Sequence, residues 1–562
     1  MTQTTEIAVE NLDHLGLIAG LIDEIGLVQK INELVKEQPG EIVSPGLVVK
    51  AMIINGLGMI SAPLYLFPKF FAGQATEHLI GAGIQASHLN EHRLGRVLDK
   101  LYLVGSNQIF TTIAAAAAQK FEIDTETVHL DSSSFHLHGK YESELPSVSF
   151  TDCQTDSDRA DDSIPTNPVS SSVPIKITYG YSRDHRPDLK QFILDLICSS
   201  DGDVPLFLRV GSGNESDCAV FASICQKFKQ QLNLDSLIVA DSALYSAPNL
   251  EMLTNLKWLT RVPLSLKQAQ QLVSQLNESE FTSSPVKGYS WSEHKSSYGG
   301  VEQRWLVVES NLRRESDRRK LENKLKKAGI VAQNKLRELS QIEFACAADA
   351  AAAAHRLSKQ LKYYNVTQIT SRQVTVKPDA KSSASATGKS GAVLRFKVQA
   401  QLEADTGTIE RETKACGRFI LATNVLKTKQ LQPDEMIVKY KEQQSTERGF
   451  GFLKDPLFFA DSVFLKSPER IEALALIMGL CLLVYTLGQR LLRHNLQRTN
   501  SQVKNQLGKL TNRPTLRWIC QIFQGIHVVI IQGIQQISNL TAERMAILNL
   551  LPLSCRSYYL LL

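Results

Sequence analysis

Residues 236 to 241 read SLIVAD, an unbroken apolar run between a serine and an acid. A strand with one face in water alternates apolar and polar residues; a strand covered on both faces does not, so this run predicts a central strand of an α/β sheet. Asp241 stands at its end. A second short strand, TVHLD (127–131), also closes on an acid, Asp131. Around these two, the pattern predicts strands at IKITYGYS (175–182), QFILDLICS (191–199) and VPLFLRV (204–210), then a helix opening near Asn214 in GNESDCAVFASICQKFKQQL. After Asp241, Ser246-Ala247-Pro248 starts another helix, and KWLTRVP (257–263) is a further strand.

Hairpin-like strands followed by helix, strand, helix and strand form the order of a ribonuclease H-like sheet, within the α/β class. In that sheet the ends of the first and fourth strands lie side by side, which predicts that Asp131 and Asp241 are neighbours. Two Mg2+ ions held about 3.5–4 Å apart by hard oxygen ligands would suit phosphoryl transfer at a DNA backbone. A third carboxylate must then come from a helix packed on the sheet. The stretch KYKEQQSTERGFGFLK (439–454) offers one, because Tyr440, Gln443, Glu447 and Lys454 fall three, four and seven residues apart. At 3.6 residues per turn those intervals place all four within about 60° of one another. Pro433 followed by Asp434 and Glu435 marks the helix start. Glu447 is the expected third ligand, although Gly449 and Gly451 disfavour an unbroken helix as far as Lys454. The ordinary alternatives are acids that end strands in turns and a polar helix face in water. A rival metal reading places zinc on His136 and His138, but no further His or Cys completes that site locally.

The rest of the chain sets the frame. Its 562 residues divide into an N-terminal helical domain (1–120), a first catalytic part (121–263), a β-rich and helical insertion (264–430), a second catalytic part (431–500) and a basic-to-apolar C-terminal tail (501–562). A polar loop at 142–174, rich in Ser, Asp and Pro, is expected to be disordered. In NLRRESDRRKLENKLKKAGIVAQNKLRELS ten basic residues face four acids, and Leu321, Leu325, Ala328, Ala332, Leu336 and Leu339 keep a heptad-like spacing. That predicts a helical hairpin packed along its Leu/Ala stripe. The net charge of +5 is mild, yet no acid occurs between Glu472 and Glu543, where Arg490, Arg493 and Arg498 lie. Such one-sign clustering suits a phosphate backbone, which makes Arg490 and Arg493 expected DNA contacts. The nine cysteines include no CxxC pair, consistent with a reducing cytoplasm, and the N-terminus lacks the basic and apolar parts of a signal peptide. The apolar run Ala473–Leu487 is too short for a bilayer and is expected as a buried core helix, with no membrane partner.

Several of these stretches together resemble a known family: TVHLDSSSFHLHG, KITYGYSRDHRPDLKQF, GNESD, LIVADSALYS, FILATN and YKEQQSTERGFGFLKDP. They are similar to the motifs of bacterial insertion-sequence transposases of the DDE class, and more narrowly to the sixteen-thirty-four branch of the insertion-sequence-four superfamily. That superfamily carries a Tyr, Arg, Glu, Lys signature with gaps of two, three and six. Tyr440, Glu447 and Lys454 stand at those gaps, with Gln443 in place of the family's arginine. The resemblance implies that Asp131, Asp241 and Glu447 bind two Mg2+ ions, with Mn2+ as a substitute. It also implies that Tyr440, Gln443 and Lys454 touch transposon-end phosphates, and that a homodimer cleaves terminal inverted repeats and joins them to target DNA at the bacterial nucleoid. Gln443 can donate a hydrogen bond there but no charge. By the same resemblance, residues 264–430 are the insertion domain, and Trp258, Trp291 and Trp305 are candidates for stacking a flipped base. Two other functions stay open: a catalytically inactive DNA-binding descendant and a metal-dependent nuclease of the same fold.

Overall fold

The computed structural model describes residues 7–561 except 38–39, 60–61, 140, 142–172, 183, 377–392 and 456–464. Nearly all of the polar loop expected at 142–174 therefore lies outside the described residues. The chain forms two compact units. One comprises Met1–Thr260, Gly299–Val301 and Lys439–Leu562, the other Arg261–Tyr298 and Glu302–Val438.

The first unit opens with a short strand, β1 (Ile7–Asn11), and is built on β2 (Thr127–Leu137), β3 (Lys190–Ser199), β4 (Pro205–Ser212), β5 (Leu237–Ala240) and β6 (Lys257–Val262). The last five lie in the order β4-β3-β2-β5-β6. β2, β3 and β4 pair antiparallel, while β5 runs parallel to both β2 and β6. All four residues of β5 are buried, as its unbroken apolar run requires. Two expectations fail here. β2 continues six residues past Asp131, and IKITYGYS is no strand: its backbone makes one bridge to β3, Thr178 with Gln191, and Lys176 bonds Ser212 and Gly213 at the end of β4. The Gln191 side-chain amide adds a bond to the Tyr181 carbonyl of the segment at 3.2 Å and one to the Gly213 carbonyl at 2.8 Å.

One face of this sheet shares a single hydrophobic core with helices from both ends of the chain. They include α1 (Leu15–Ile25), α2 (Glu91–Val104) and α3 (Ser106–Lys120); α4 (Asp217–Leu232) belongs to the same unit. Through the core runs Pro468–Arg498, a helix of 31 residues whose N-cap Ser467 accepts from the Arg470 amide and whose first residue is a proline. Among the described residues it alone is long and apolar enough to cross a bilayer by length and composition, and 83% of its most apolar window is buried inside the protein. The buried core helix expected at Ala473–Leu487 is this one, extended at both ends. Gly479 permits its close approach to β4, since a Cβ there would sit 2.2 Å from Leu208 Cδ1.

Residues 501–562 do not form a tail. His527–Ile531 pairs antiparallel with β1, and the helix Leu553–Leu560 packs on α1. A Cβ on Gly20 would fall 2.4 Å from Cys555 Cα. The Tyr559 hydroxyl donates to the Asp13 carbonyl at 2.6 Å and accepts from the Leu17 amide at 3.1 Å. These residues are apolar because they complete the core.

The second unit holds β7 (Thr282–Ser283), β8 (Tyr289–Tyr298), β9 (Val301–Ser310) and β12 (Arg418–Thr423) in the order β12-β9-β8-β7, and a separate antiparallel ribbon, β10 (Tyr364–Val376) with β11 (Val393–Ala404). The expected helical hairpin is one uninterrupted helix, α5 (Asn311–Gln341). Its Leu/Ala stripe packs as expected, but against two clusters: Leu321, Leu325 and Ala328 meet Tyr363 and Cys416, while Leu336 and Leu339 meet the ribbon. Gly329 does not break it because the Tyr364 ring fills the space where its Cβ would be.

Burial pushes the Glu472 carboxyl, in the first turns of the long core helix, up to about 7, with Arg209 opposing and Glu469 adding to the rise. A folded-state pKa above the unfolded value gives stability present below about pH 4.5 and lost as pH rises through 7, worth up to about 3 kcal/mol at pH 8. Glu472→Gln is therefore expected to raise the Tm at pH 8 and to leave it nearly unchanged at pH 5. Thermal melts at the two pH values decide this, and an equal gain at both would assign the effect to packing.

Candidate active site

The parallel register of β2 and β5 pairs Leu130 with Ala240, so the next residues, Asp131 and Asp241, emerge side by side from neighbouring strands about 4.8 Å apart. Both are half-buried. Asp131 Oδ1 accepts from the Ser132 amide at 2.8 Å. Asp241 caps the single turn Ser242–Leu244, its Oδ1 accepting from the Ala243 amide at 2.9 Å, while its carbonyl accepts from Thr260 Oγ1 on β6 at 2.6 Å. Hard oxygen donors side by side, one within β2 and one just past the end of β5, fit a divalent cation.

Alternation along β2 puts Thr127, His129 and Asp131 on one face. Lys439 Nζ lies 2.5 Å from Thr127 Oγ1 there. His129 is fully buried, with no hydrogen bond to either ring nitrogen among the described residues. Burial, with Lys439 adding, pushes its imidazole down to about 4. Across the pair from His129 stands Cys198, whose thiol is pushed up by burial and by the negative charges of Asp203 and Asp131.

The expected continuous helix over 433–454 is two, α6 (Pro433–Lys441) and α7 (Gln444–Leu453), interrupted at Glu442-Gln443 rather than at the glycines. α7 packs on β2 and β3 through Thr446, Phe450 and Leu453, all buried, with Gly449 against Leu482. Thr446 lies against the Cys198 thiol, next to Asp131. Glu447 is one residue further on, about 100° around the helix, and is exposed. The inward face of α7 is thus taken by other residues, and among the described residues no group of three His, Cys, Asp or Glu side chains is placed to share one ion. The structure brings Asp131 and Asp241 together and leaves Glu447 on the flank of the helix beside them.

Residues 125–485, more than half of the chain, match the family model described as a transposase DDE domain. The chain belongs to the DDE transposase family. Membership makes it an enzyme of DNA strand cleavage and strand transfer. Residues 7–115 of the transposase match a second model, described as a domain of unknown function. No curated protein matches it. A solved structure, a piggyBac transposase synaptic complex with hairpin DNA, is similar over 92% of this chain and 82% of that one, at 8% identity and a TM-score of 0.37.

The remaining expected site residues of the transposase are scattered. Tyr440 and Gln443 are half-buried beside the helix break. Lys454 pairs with Asp184 at 2.6 Å and lies over the Phe135 ring, four residues beyond Asp131 along β2. Arg490 is a staple within the fold, donating to the Phe121 and Glu122 carbonyls and to Asp201 Oδ2. Arg493 donates to the Pro514 carbonyl at 2.9 Å. Trp258 and Trp305 are buried, out of reach of a base, and the half-buried Trp291 donates to Asp434 at 2.9 Å. His136 bonds Ser182 Oγ, and His138 is exposed.

Sequence reading missed the support on the opposite face. Ser132 bonds the fully buried Asp195, which pairs with Arg209 at 2.6 Å, and Arg209 in turn pairs with Glu215. Burial raises the Asp195 carboxyl, and Arg209 opposes that rise. The signal was available as an aspartate inside the otherwise apolar QFILDLICS. Removing one partner of a buried pair leaves an uncompensated charge, at a cost of about 3–5 kcal/mol. Arg209→Gln should therefore destabilise strongly in urea unfolding, and adding Asp195→Asn should recover most of the loss. Additive losses in the double variant would deny the coupling.

Proposed function

We propose that this transposase carries out Mg2+-dependent cleavage of the terminal inverted repeats of an insertion sequence, followed by strand transfer into target DNA, as a cut-and-paste element. On this reading its sheet is the ribonuclease H-like core, and its place is the sixteen-thirty-four branch of the insertion-sequence-four superfamily, acting as a homodimer at the nucleoid. The observation that carries the proposal is the in-register pairing of β2 with β5, which sets two carboxylates side by side where β5 ends against β2. Asp131 and Asp241 would hold the metal, with Glu447 of α7 as the third ligand. When bound, two divalent ions supply charge neutralisation at the phosphorus and activate the oxygen nucleophile. The protein's part is positional. The turn after Asp241 and the Ser132–Asp195–Arg209 network hold the backbone at these two acids, and α7 carries Glu447 alongside them. Tyr440, Gln443 and Lys454 are assigned to end phosphates, a role in which Lys454 would exchange Asp184 for a phosphate oxygen.

The test is nicking of a labelled terminal duplex in Mg2+ and in Mn2+. Asp131→Asn, Asp241→Asn and Glu447→Gln are each expected to lower cleavage by at least roughly a hundredfold, the scale of several kcal/mol of charge stabilisation, with end binding retained. Glu442→Gln, in the helix break, should cut normally. Normal cleavage by Glu447→Gln with loss in Glu442→Gln would transfer the third ligand to the break. A wild-type chain that binds ends but cuts in neither metal would instead be a DNA-binding descendant.

A further inference from the structure

Beside α7 lies a cavity of about 430 Å3, within the first unit, lined by Arg448, Arg493, Arg513, Asp203, Gln489 and Thr515 among others. Three guanidiniums and one carboxylate meet there. Arg448 satisfies Asp203 through Nε and Nη2, at 2.9–3.2 Å. That leaves two cations without a matching acid on the cavity wall. Arg493 is half-buried and, among the described residues, its side chain makes one hydrogen bond, from Nε to the Pro514 carbonyl, which fixes the stem of the guanidinium fork. Arg513 is exposed. Burial and the nearby Arg513 hold the Arg493 guanidinium below its ordinary value, with Asp203 and Tyr485 opposing and Arg448 adding to the fall. Confining like charges in a partly desolvated site is unfavourable unless an anion joins them, and a phosphate presents the oxygens that arginine forks bind in pairs.

We propose that this cavity is a phosphate-binding site that seats one backbone phosphate of a DNA strand bound to the transposase. The inference rests on the DNA reading above and adds to it a specific anchor. Arg448 directly follows Glu447, so a phosphate seated here would fix the strand within one helical turn of the proposed third ligand. A strand, rather than a free anion, is favoured by the exposure of Arg513 and by the acid-free stretch from Ala473 to Ala542 to which it belongs.

The experiment is fluorescence anisotropy of a labelled duplex with the full chain, across a NaCl series. Wild type is compared with Arg493→Gln, Arg513→Gln and, as an exposed basic control outside the cavity, Arg498→Gln. Each cavity variant should flatten the slope of log affinity against log salt by about 0.9, the contribution of one neutralised phosphate, while Arg498→Gln keeps the wild-type slope. Between 50 and 200 mM salt that difference amounts to roughly a 3.5-fold smaller loss of affinity. Inorganic phosphate, replacing chloride at constant ionic strength, should weaken duplex binding by wild type but not by Arg493→Gln. Arg513 is exposed, so its variant keeps the result readable even if Arg493→Gln folds poorly. Unchanged slopes in both cavity variants, with wild type binding duplex, overturn the inference alone; phosphate competition without a change in slope likewise overturns it in favour of a free anion. Equal flattening by Arg498→Gln overturns it in favour of diffuse attraction. A wild type that binds no duplex at any salt overturns the DNA reading itself.

Discussion

The register between β2 and β5 is the constraint on which the site depends. Side chains alternate along a strand, so a slip of one residue would turn Asp131 toward the opposite face while Asp241 stayed where it is. The pairing is held from several directions. β5 is buried over its whole length, and a slip that drew Asp241 into it would bury that carboxylate. On one face the Asp195–Arg209 pair ties β2, β3 and β4 together, and on the other α7 packs against β2 and β3. Asp131, within β2, and Asp241, just past the end of β5, thus keep their alignment through the structure around them.

Charge is treated differently in different parts of the first unit. Some buried charges are compensated: Asp195 by Arg209, and Arg490 by two carbonyls and Asp201. Elsewhere compensation is incomplete. His129 sits dry beside Lys439 as a neutral imidazole, and three arginines share one aspartate next to α7. A basic stretch in a sequence is therefore not one population. Arg490 spends its donors inside the fold, whereas Arg493, three residues later, keeps part of its guanidinium directed at a cavity.

What was legible in the sequence follows from what is local. The apolar run before Asp241 identified a two-sided strand without any knowledge of its neighbours, and the Leu/Ala stripe of α5 marked the face that packs. Properties that depend on distant partners were not legible. IKITYGYS has the composition of a strand, but nothing in those eight residues reveals that its backbone meets β3 at a single bridge. The stripe of α5 reads as a helical hairpin rather than one helix because the Tyr364 ring that covers Gly329 lies 35 positions further on. Arg490 looked like a surface cation because its carbonyl partners, Phe121 and Glu122, precede it by more than 360 residues. The interruption at Glu442-Gln443 was hidden for a different reason: the face-sharing of Tyr440, Gln443, Glu447 and Lys454 presumed a single axis, and two helices have two.

The interlock of the first and last helices has a consequence in time. Leu17 and Tyr559, joined by a hydrogen bond, are separated by 542 positions, and β1 finds its partner only at His527–Ile531. At about 5–20 residues per second, a ribosome needs roughly half a minute to two minutes to make the second partner after the first has emerged. During that interval the apolar faces of α1 and of the long helix Pro468–Arg498, once made, lack their final covering. The native core therefore closes only once the chain has been made as far as Tyr559, which exposes the nascent chain to chaperones and proteases for longer than a fold assembled from successive neighbours.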